Sequence, residues 1–315
     1  MTTLRINHRT TYTYDGPVTF GVHRLRIRPR DGHDMRILDS ALSVTPAADI
    51  HWEFDTFGNS VARLTFREKA DRLVIASDLL LRRYGLDNPE ARIERYAGPW
   101  PFTYEPEEAF DLSPLLHIHS PQDQPALRSW LAEQMPDLPD ASFQVLDLLS
   151  GRIHESFAYR RREESGVQSP SETLAAGSGT CRDFAYFFME AARSLGFAAR
   201  FVTGYLHDPA MAGAGAEEQN GGSLSGGGAT HAWADVFVPG AGWVEFDPTN
   251  QIIAGRNLVR VAATRTPEQA MPVSGSYHDG GAAFLSMEVE VSVVRFEEQA
   301  SSGLPDPELT LQDVR

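Results

Sequence analysis

The stretch GSGTCRDFAYFFMEAARSLGF, residues 177–197, contains the only cysteine of the 315-residue chain. From Phe184 to Leu195, apolar residues recur at spacings of three and four, which predicts an amphipathic helix that ends at Gly196. Cys181 follows the turn-forming GSGT and therefore lies in the first turn of this helix. Free backbone N–H groups and the helix dipole stabilise a thiolate there, and the same groups can bind an oxyanion.

Two predicted strands downstream supply partners for such a thiolate. THAWADVFV, residues 230–238, and GWVEFDP, residues 242–248, are joined by PGA, which predicts two adjacent antiparallel strands. His231 begins the first strand and Asp247 ends the second, so the imidazole can donate a ring N–H to the carboxylate. Nucleophile, base and orienting acid then follow the order Cys181, His231, Asp247. Asp235 competes as the acid, but about 13 Å of strand separates it from His231 at about 3.3 Å per residue.

Each of these residues can also be interpreted as structural, with no catalytic role. A single cysteine in an intracellular protein is most often a buried packing residue. His231 could be a strand histidine with satisfied hydrogen bonds, and Asp247, before a proline, could begin a turn. A redox sensor would lack a second cysteine to resolve the oxidised thiol.

The rest of the chain divides by periodicity into an N-terminal β region and an α+β region. Up to about residue 87 apolar residues alternate with polar ones, as in HRLRIRPR (residues 23–30), which predicts an all-β, sandwich-like domain with its arginines on a solvated face. Residues 88–110, rich in proline and charge, are predicted to be a linker. Helices followed by antiparallel strands predict an α+β core over residues 111–298, including the strand SMEVEVSVV (286–294). A flexible tail covers residues 299–315.

Composition limits the classes of partner. Hydrophobic residues make up 42% of the chain and charged residues 23%, as in a soluble globular protein. The formal net charge of −15 disfavours nucleic acid and anionic membranes. No segment approaches the 18 apolar residues of a membrane span, and the N-terminus resembles no signal peptide, so the cytoplasm is the expected location. The one close histidine pair, His117 and His119, lacks a third ligand, so neither a metal nor a cofactor is expected.

Two long stretches carry a family resemblance. GSGTCRDFAYFFMEAARSLGFAARFVTGYL and THAWADVFVPGAGWVEFDPTN resemble the core of the transglutaminase-like superfamily, specifically bacterial members described as cysteine proteases. LRINHRTTYTYDGPVTFGVHRLRIRPRD, with FDTFGNSV, resembles the β-domain that precedes this core. The resemblance implies a papain-like α+β core in which Cys181 is the nucleophile, His231 the general base and acid, and Asp247 the residue that orients the imidazole.

For residues that could support this triad, the sequence allows a functional and a structural interpretation. Gln168 or Tyr159 could supply a further oxyanion donor, or either could simply pack. The substrate-cleft candidates are Trp233, Trp243, Arg182 and Asp183. The tryptophans could instead belong to the core, and Arg182 and Asp183 could pair locally at the helix start. The glycine-rich loop 207–229 could be a lid beside His231, or an insertion without a role.

The predicted reaction is cleavage of an amide through a thioester on Cys181. If water completes the reaction, the protein is a peptidase or amidase; if an amine does, it is an acyltransferase. Hydrolysis is favoured because nothing in the sequence marks an amine site. A catalytically lapsed peptide-binding module would be expected to have lost one of the three residues, and this chain has all of them. The expected partner is a peptide or protein amide. Because no acidic cluster for calcium is evident, chelators are expected to leave activity unchanged.

Overall fold

The computed structural model describes residues 1–84, 88–162, 166–208, 230–255, 257–278 and 280–296. The N-terminal region consists of strands β1 (Thr2–Phe20), β2 (His23–Leu25), β3 (Met35–Thr45), β4 (Ala48–Phe54), β5 (Ser60–Phe66) and β6 (Ala70–Arg83). The central region contains α1 (Pro106–Leu116), α2 (Gln124–Gln134), α3 (Ser142–Ser156), β7 (Ala158–Tyr159), α4 (Pro170–Ala176), β8 (Ser178–Gly179), α5 (Cys181–Ser194), β9 (Ala199–Leu206), β10 (His231–Val238), β11 (Gly242–Asp247), β12 (Ile252–Ile253) and β13 (Leu258–Thr264). The described chain ends with β14 (Val273–Ser274), β15 (Tyr277–His278) and β16 (Phe284–Arg295).

The N-terminal strands form two antiparallel sheets that pack as a sandwich. One sheet has the order β15-β1-β6-β3 with β16 also on β1, and the other has the order β14-β2-β5-β4. Alternate residues of β6 point inward, as its burial pattern shows, because successive side chains of a strand lie on opposite faces. Between the sheets lies an apolar cluster that includes Val18, Leu25, Leu64 and Leu73. The predicted sandwich-like domain is confirmed.

The C-terminal strand lies in this N-terminal sheet. β16 runs antiparallel to β1, with Leu4 opposite Arg295 and Tyr14 opposite Phe284. Its predicted place in the catalytic core was therefore wrong. A period-two pattern identifies a strand but carries no information about its neighbour, and β1, 19 residues long, offers a long edge on which the strand can pair.

The stretch predicted as a linker is partly packed against the core. Ala97 and Tyr104 are buried. The Tyr104 hydroxyl donates to the Phe237 carbonyl (2.7 Å) and accepts from the Ala198 backbone N–H (2.9 Å). Helix α1 also begins within residues 88–110. This segment therefore packs against the core and is not a free linker. A proline-rich composition does not exclude packing by aromatic residues.

Helix α5 is the centre of the core. The antiparallel sheet β12-β11-β10-β9-β13 contacts α5 through β9 and β10, and α2, α3 and α4 contact the same helix. The β10 alanines Ala232 and Ala234 belong to the apolar cluster around α5, and small side chains let helix and sheet approach closely. Phe187 and Phe188 are fully buried. The predicted α+β class is confirmed, and no described helix is long and apolar enough to cross a bilayer.

The N-terminal sheet packs directly on the core sheet. Leu4 and Leu81 share an apolar cluster with Tyr205 and Val259 of the core. At the edge of this cluster the His8 Nδ1 atom lies 3.0 Å from the Tyr205 hydroxyl, which also donates to the Ile27 carbonyl (3.1 Å). Burial lowers the pKa of His8 to about 4, so this histidine is neutral at pH 7. The two regions are joined by apolar surface, by neutral hydrogen bonds and by the ion pair between Arg260 and Asp34 (3.6 Å).

Candidate active site

Cys181 is the first residue of α5 and is 5% exposed. A capping box fixes this helix start. The Asp183 carboxylate accepts from the Thr180 N–H (2.7 Å) and the Thr180 hydroxyl (2.9 Å). A cap of this kind satisfies N–H groups that would otherwise be unpaired. The position of the thiol is therefore set by the neighbouring residues on both sides.

Asp183 also holds the segment that precedes α4. It accepts from Nε and Nη2 of Arg162 (3.1 and 3.0 Å) and from the Gln168 backbone N–H (2.7 Å). The side chain is completely buried, and these donors occupy both of its oxygens. Asp183 cannot line a substrate cleft, so that prediction was wrong. Its carboxylate connects Arg162 and Gln168, in the segment before α4, to the start of α5, which carries Cys181.

His231 and Asp247 are brought into direct contact. The His231 Nε2 atom lies 2.8 Å from Asp247 Oδ2, and both residues are buried. Among the described residues, His231 Nδ1 has no partner at hydrogen-bond distance and angle. Burial lowers the pKa of His231, but Asp247 and the nearby Cys181 thiol raise it by more, to about 10. The ring therefore uses one nitrogen for Asp247, and its other nitrogen remains for Cys181.

Asp247 begins a turn that orients its carboxylate, and the supporting residues of this turn were not predicted from the sequence. Its Oδ1 accepts from the Thr249 N–H (3.0 Å), and its Oδ2 accepts from Asn250 Nδ2 (2.9 Å). His154 Nδ1 lies 3.0 Å from the Thr249 carbonyl and fastens the same turn to α3. The sequence DPTN contained the signal, because aspartate readily bonds the backbone two residues further on. Asn250 and His154 support the acid from outside the triad.

Tyr159 lies beside the thiol, whereas Gln168 is tied to the α4 segment. Short strands β7 and β8 pair in parallel, which places Tyr159 opposite Gly179, two residues before Cys181. Partial burial raises the pKa of Tyr159 to about 12, with further contributions from Cys181 and Asp247, so the phenol stays a hydrogen-bond donor. The Gln168 side-chain oxygen instead lies 3.5 Å from the Thr173 hydroxyl.

Trp233 packs beside His231, with 6.2 Å between the ring centroids, whereas Trp243 lies farther away. Trp233 is fully buried and donates its indole N–H to Asp235 (3.2 Å). Trp243 pairs with Phe237, six residues beyond His231 along β10, which is about 20 Å at about 3.3 Å per residue. Both cleft assignments were wrong, because Trp233 is buried and alternation along a strand does not reveal how far Trp243 lies from its functional end. Asp235 is bound by Arg200 (2.8 Å), away from His231.

Two further sequence predictions concern the loop before His231 and the histidine pair. The predicted lid, residues 207–229, lies outside the described residues except for His207 and Asp208. His119 donates its backbone N–H to Glu190. Within the described ranges, no three His, Cys, Asp or Glu side chains are grouped so as to hold a metal ion.

Comparisons with known proteins agree with this two-part organisation. The model of the transglutaminase-like superfamily matches residues 130–248, which include Cys181, His231 and Asp247, and the bacterial transglutaminase-like N-terminal region matches residues 4–82. The chain therefore belongs to the transglutaminase-like superfamily. More particularly, it combines the superfamily core with the N-terminal region described for bacteria.

Relatives with a similar arrangement span almost the whole chain. An uncharacterized protein of Mycobacterium tuberculosis (strain ATCC 25618 / H37Rv) is 29% identical over 306 residues, covering 94% of each chain. An uncharacterized Mycobacterium leprae protein is 23% identical over 306 residues, covering 92% of this chain and 98% of that protein. The crystal structure of a candidate cysteine protease from Cytophaga hutchinsonii has a TM-score of 0.69 at 19% identity, covering 97% of this chain and 94% of that one. This structural likeness shows a shared fold.

Proposed function

We propose that the protein cleaves an amide or peptide bond through a thioester on Cys181. The observation that carries this proposal is the 2.8 Å contact between His231 Nε2 and the buried Asp247 carboxylate. It leaves His231 Nδ1 for the thiol at the start of α5. A protonated imidazole beside the sulfur stabilises a thiolate, and the raised pKa of His231 favours the protonated ring at neutral pH.

The reaction follows from these positions. The Cys181 sulfur attacks the amide carbonyl carbon, and the carbonyl electron pair moves onto oxygen. The Cys181 N–H, in a first helical turn without intrahelical partners, and the Tyr159 hydroxyl are the proposed donors to that oxyanion. His231 Nδ1 gives its proton to the leaving nitrogen as the C–N bond breaks, which leaves a thioester. Asp247 holds the ring orientation throughout.

The second half-reaction admits water or an amine. With water, His231 removes a proton from the attacking oxygen and the sulfur leaves as thiolate, so the product is a carboxylic acid. We propose this outcome, in line with the description of the Cytophaga hutchinsonii protein. Acyl transfer to an amine is the second candidate, and the burial of Cys181 and His231 favours it, because restricted water access slows hydrolysis. The proposed substrate is a peptide or protein amide.

A nitrophenyl ester and a peptide anilide library test the proposal together. The intact chain should release a burst of nitrophenolate equal to its own concentration and gain one acyl mass on Cys181. Cys181→Ala should abolish both signals. Adding glycine ethyl ester then divides the acyl group between acid and amide, which distinguishes hydrolysis from transfer. Peptide binding without burst, acyl mass or turnover would contradict the proposal and indicate a lapsed binding module.

The cytoplasm is proposed as the location. A reducing compartment keeps a lone thiol available for chemistry, and Cys181 is a free cysteine. Fractionation of cells that contain the protein, with an antibody against the chain, would test this. Recovery with periplasmic marker proteins would contradict it.

A further inference from the structure

Three arginines, Arg160, Arg161 and Arg182, lie in the segments beside the point where the chain enters α5. The Arg160 backbone N–H donates to the Gly179 carbonyl (2.8 Å), which continues the β7–β8 pairing by one residue. Arg161 follows directly, and Arg182 follows Cys181 in sequence. The ion pair between Arg162 and Asp183 (3.0 Å) fixes the two segments against each other. The run 160–161 therefore lies alongside the residues that lead into Cys181.

These three arginines have no carboxylate partner among the described residues, whereas their neighbour Arg162 is bound to Asp183. Arg160 and Arg161 are exposed, and Arg182 is half-buried. The whole chain has a formal net charge of −15. Among the described residues, this positive group is therefore opposite in sign to the net charge of the chain, and Arg182 adjoins the proposed nucleophile in sequence.

The electrostatics at Tyr159 show which of these charges act at the site. Burial is the main reason that the pKa of Tyr159 is raised to about 12, and Cys181 and Asp247 raise it further. Arg161 and Arg182 act on the same hydroxyl in the opposite direction. The Tyr159 hydroxyl is thus within electrostatic range of Cys181 and Asp247 and also of Arg161 and Arg182. A substrate bound at Cys181 therefore lies within range of the two positive charges.

Resting on the proposed function, we propose that the substrate is an acidic peptide whose carboxylate side chains flank the reacting amide and are bound by Arg161 and Arg182. A guanidinium presents paired N–H donors that match a carboxylate, and such charge-assisted bonds are stronger than neutral ones. The carboxylates are assigned to side chains of the peptide; a free C-terminal carboxylate is the competing source, and peptides with an amidated C-terminus separate the two.

The first test uses the charge of an alkylating reagent as the probe. Iodoacetate carries a carboxylate and iodoacetamide does not, so the ratio of their rates at Cys181 reports local charge and cancels the thiolate fraction. In Arg161→Gln/Arg182→Gln this ratio should fall about fivefold or more at low salt, and the difference should shrink as salt is added. Arg72→Gln, an exposed arginine on β6, is the matched control and should leave the ratio unchanged.

The second test uses C-terminally amidated peptides with glutamate, glutamine or lysine beside the reacting amide. The parent chain should prefer glutamate by roughly tenfold in kcat/KM, and Arg161→Glu/Arg182→Glu should prefer lysine. Equal rates for all three peptides, with an unchanged alkylation ratio, would overturn the acidic-substrate proposal alone. Preference only for peptides with a free C-terminal carboxylate would also overturn it. Slow Cys181 alkylation without dependence on His231 would instead overturn the proposed function.

Discussion

The two ring nitrogens of His231 have different partners: Nε2 contacts Asp247, and Nδ1 is left for Cys181. Asp247 takes Nε2 at 2.8 Å, and the same Asp247 oxygen also accepts from Asn250 (2.9 Å). Burial opposes a positive charge on the ring, yet the carboxylate and the thiol outweigh burial and raise the pKa of His231 to about 10. A neutral amide in place of this carboxylate would keep a hydrogen bond but remove the opposing charge.

Asp247→Asn should therefore lower kcat by roughly 10²- to 10⁴-fold and move the lower limit of the pH profile upward, since less of the thiol would be ionised at neutral pH. Steady-state kinetics on the nitrophenyl ester between pH 5 and 9 measures both effects. Asp235→Asn is the control, because it removes another fully buried carboxylate bound to Arg200 and Trp233; it should lower stability and leave the profile in place. A profile that shifts equally in both variants would contradict the role of Asp247.

At the residue scale, the sequence predicted the proposed catalytic residues, which lie at the ends of a helix and of two strands. Cys181 begins a periodic helix, and His231 and Asp247 begin and end two strands joined by a short turn, so local patterns predict their proximity. Trp233 and Asp183 were misassigned, because both lie close in sequence to functional residues but are buried by contacts that no local pattern encodes.

Helix α5 is the element on which the site depends. Its start is held by a single carboxylate, Asp183, which joins Thr180, Gln168 and Arg162. Removing the charge from a buried, ion-paired group leaves its partner uncompensated. The helix periodicity was predictable from sequence, but this long-range anchor was not, since Arg162 is 21 residues away.

Asp183→Asn should destabilise the protein by about 2–4 kcal/mol and slow alkylation of Cys181, because the first turn of α5 would lose its anchor. Urea unfolding and iodoacetamide kinetics measure the two effects. Asp147→Asn on the exposed side of α3 is the control and should change neither. Full stability with normal alkylation would show that the anchor is dispensable.

The whole molecule is built as two regions that share one extended contact. Both ends of the described chain, β1 and β16, lie in one sheet, and this sheet packs on the core through Leu4, Tyr205 and Val259. The sequence predicted two regions from their different periodicities. It could not predict that the last strand returns to the first, because pairing between strands about 280 residues apart leaves no local signal.

Acid should weaken this contact through His8. The pKa of His8 is lowered in the folded state to about 4, against about 6.5 in the unfolded chain. The folded state thus binds fewer protons, so its stability is present above pH 6.5 and is lost as pH falls towards 4. Urea unfolding should show a loss on the order of 1–3 kcal/mol between pH 7 and pH 4.5.

His8→Gln should be less stable at pH 7 but should lose less stability over the same interval. His51→Gln, at an exposed position on β4, is the control and should follow the parent chain. A pH dependence that is identical in the parent chain and His8→Gln would contradict the assignment of this acid sensitivity to the interface.

The central claim is that Cys181 and His231 form a reactive pair, and the rate of Cys181 alkylation by iodoacetamide against pH tests it most directly. In the parent chain the rate should stay high well below the free-thiol pKa of about 8.5, because the protonated imidazole stabilises the thiolate. In His231→Ala this acidic limb should disappear and the rate should follow an ordinary thiol. Slow alkylation with the same pH dependence in both proteins would contradict the claim and make Cys181 a packing residue.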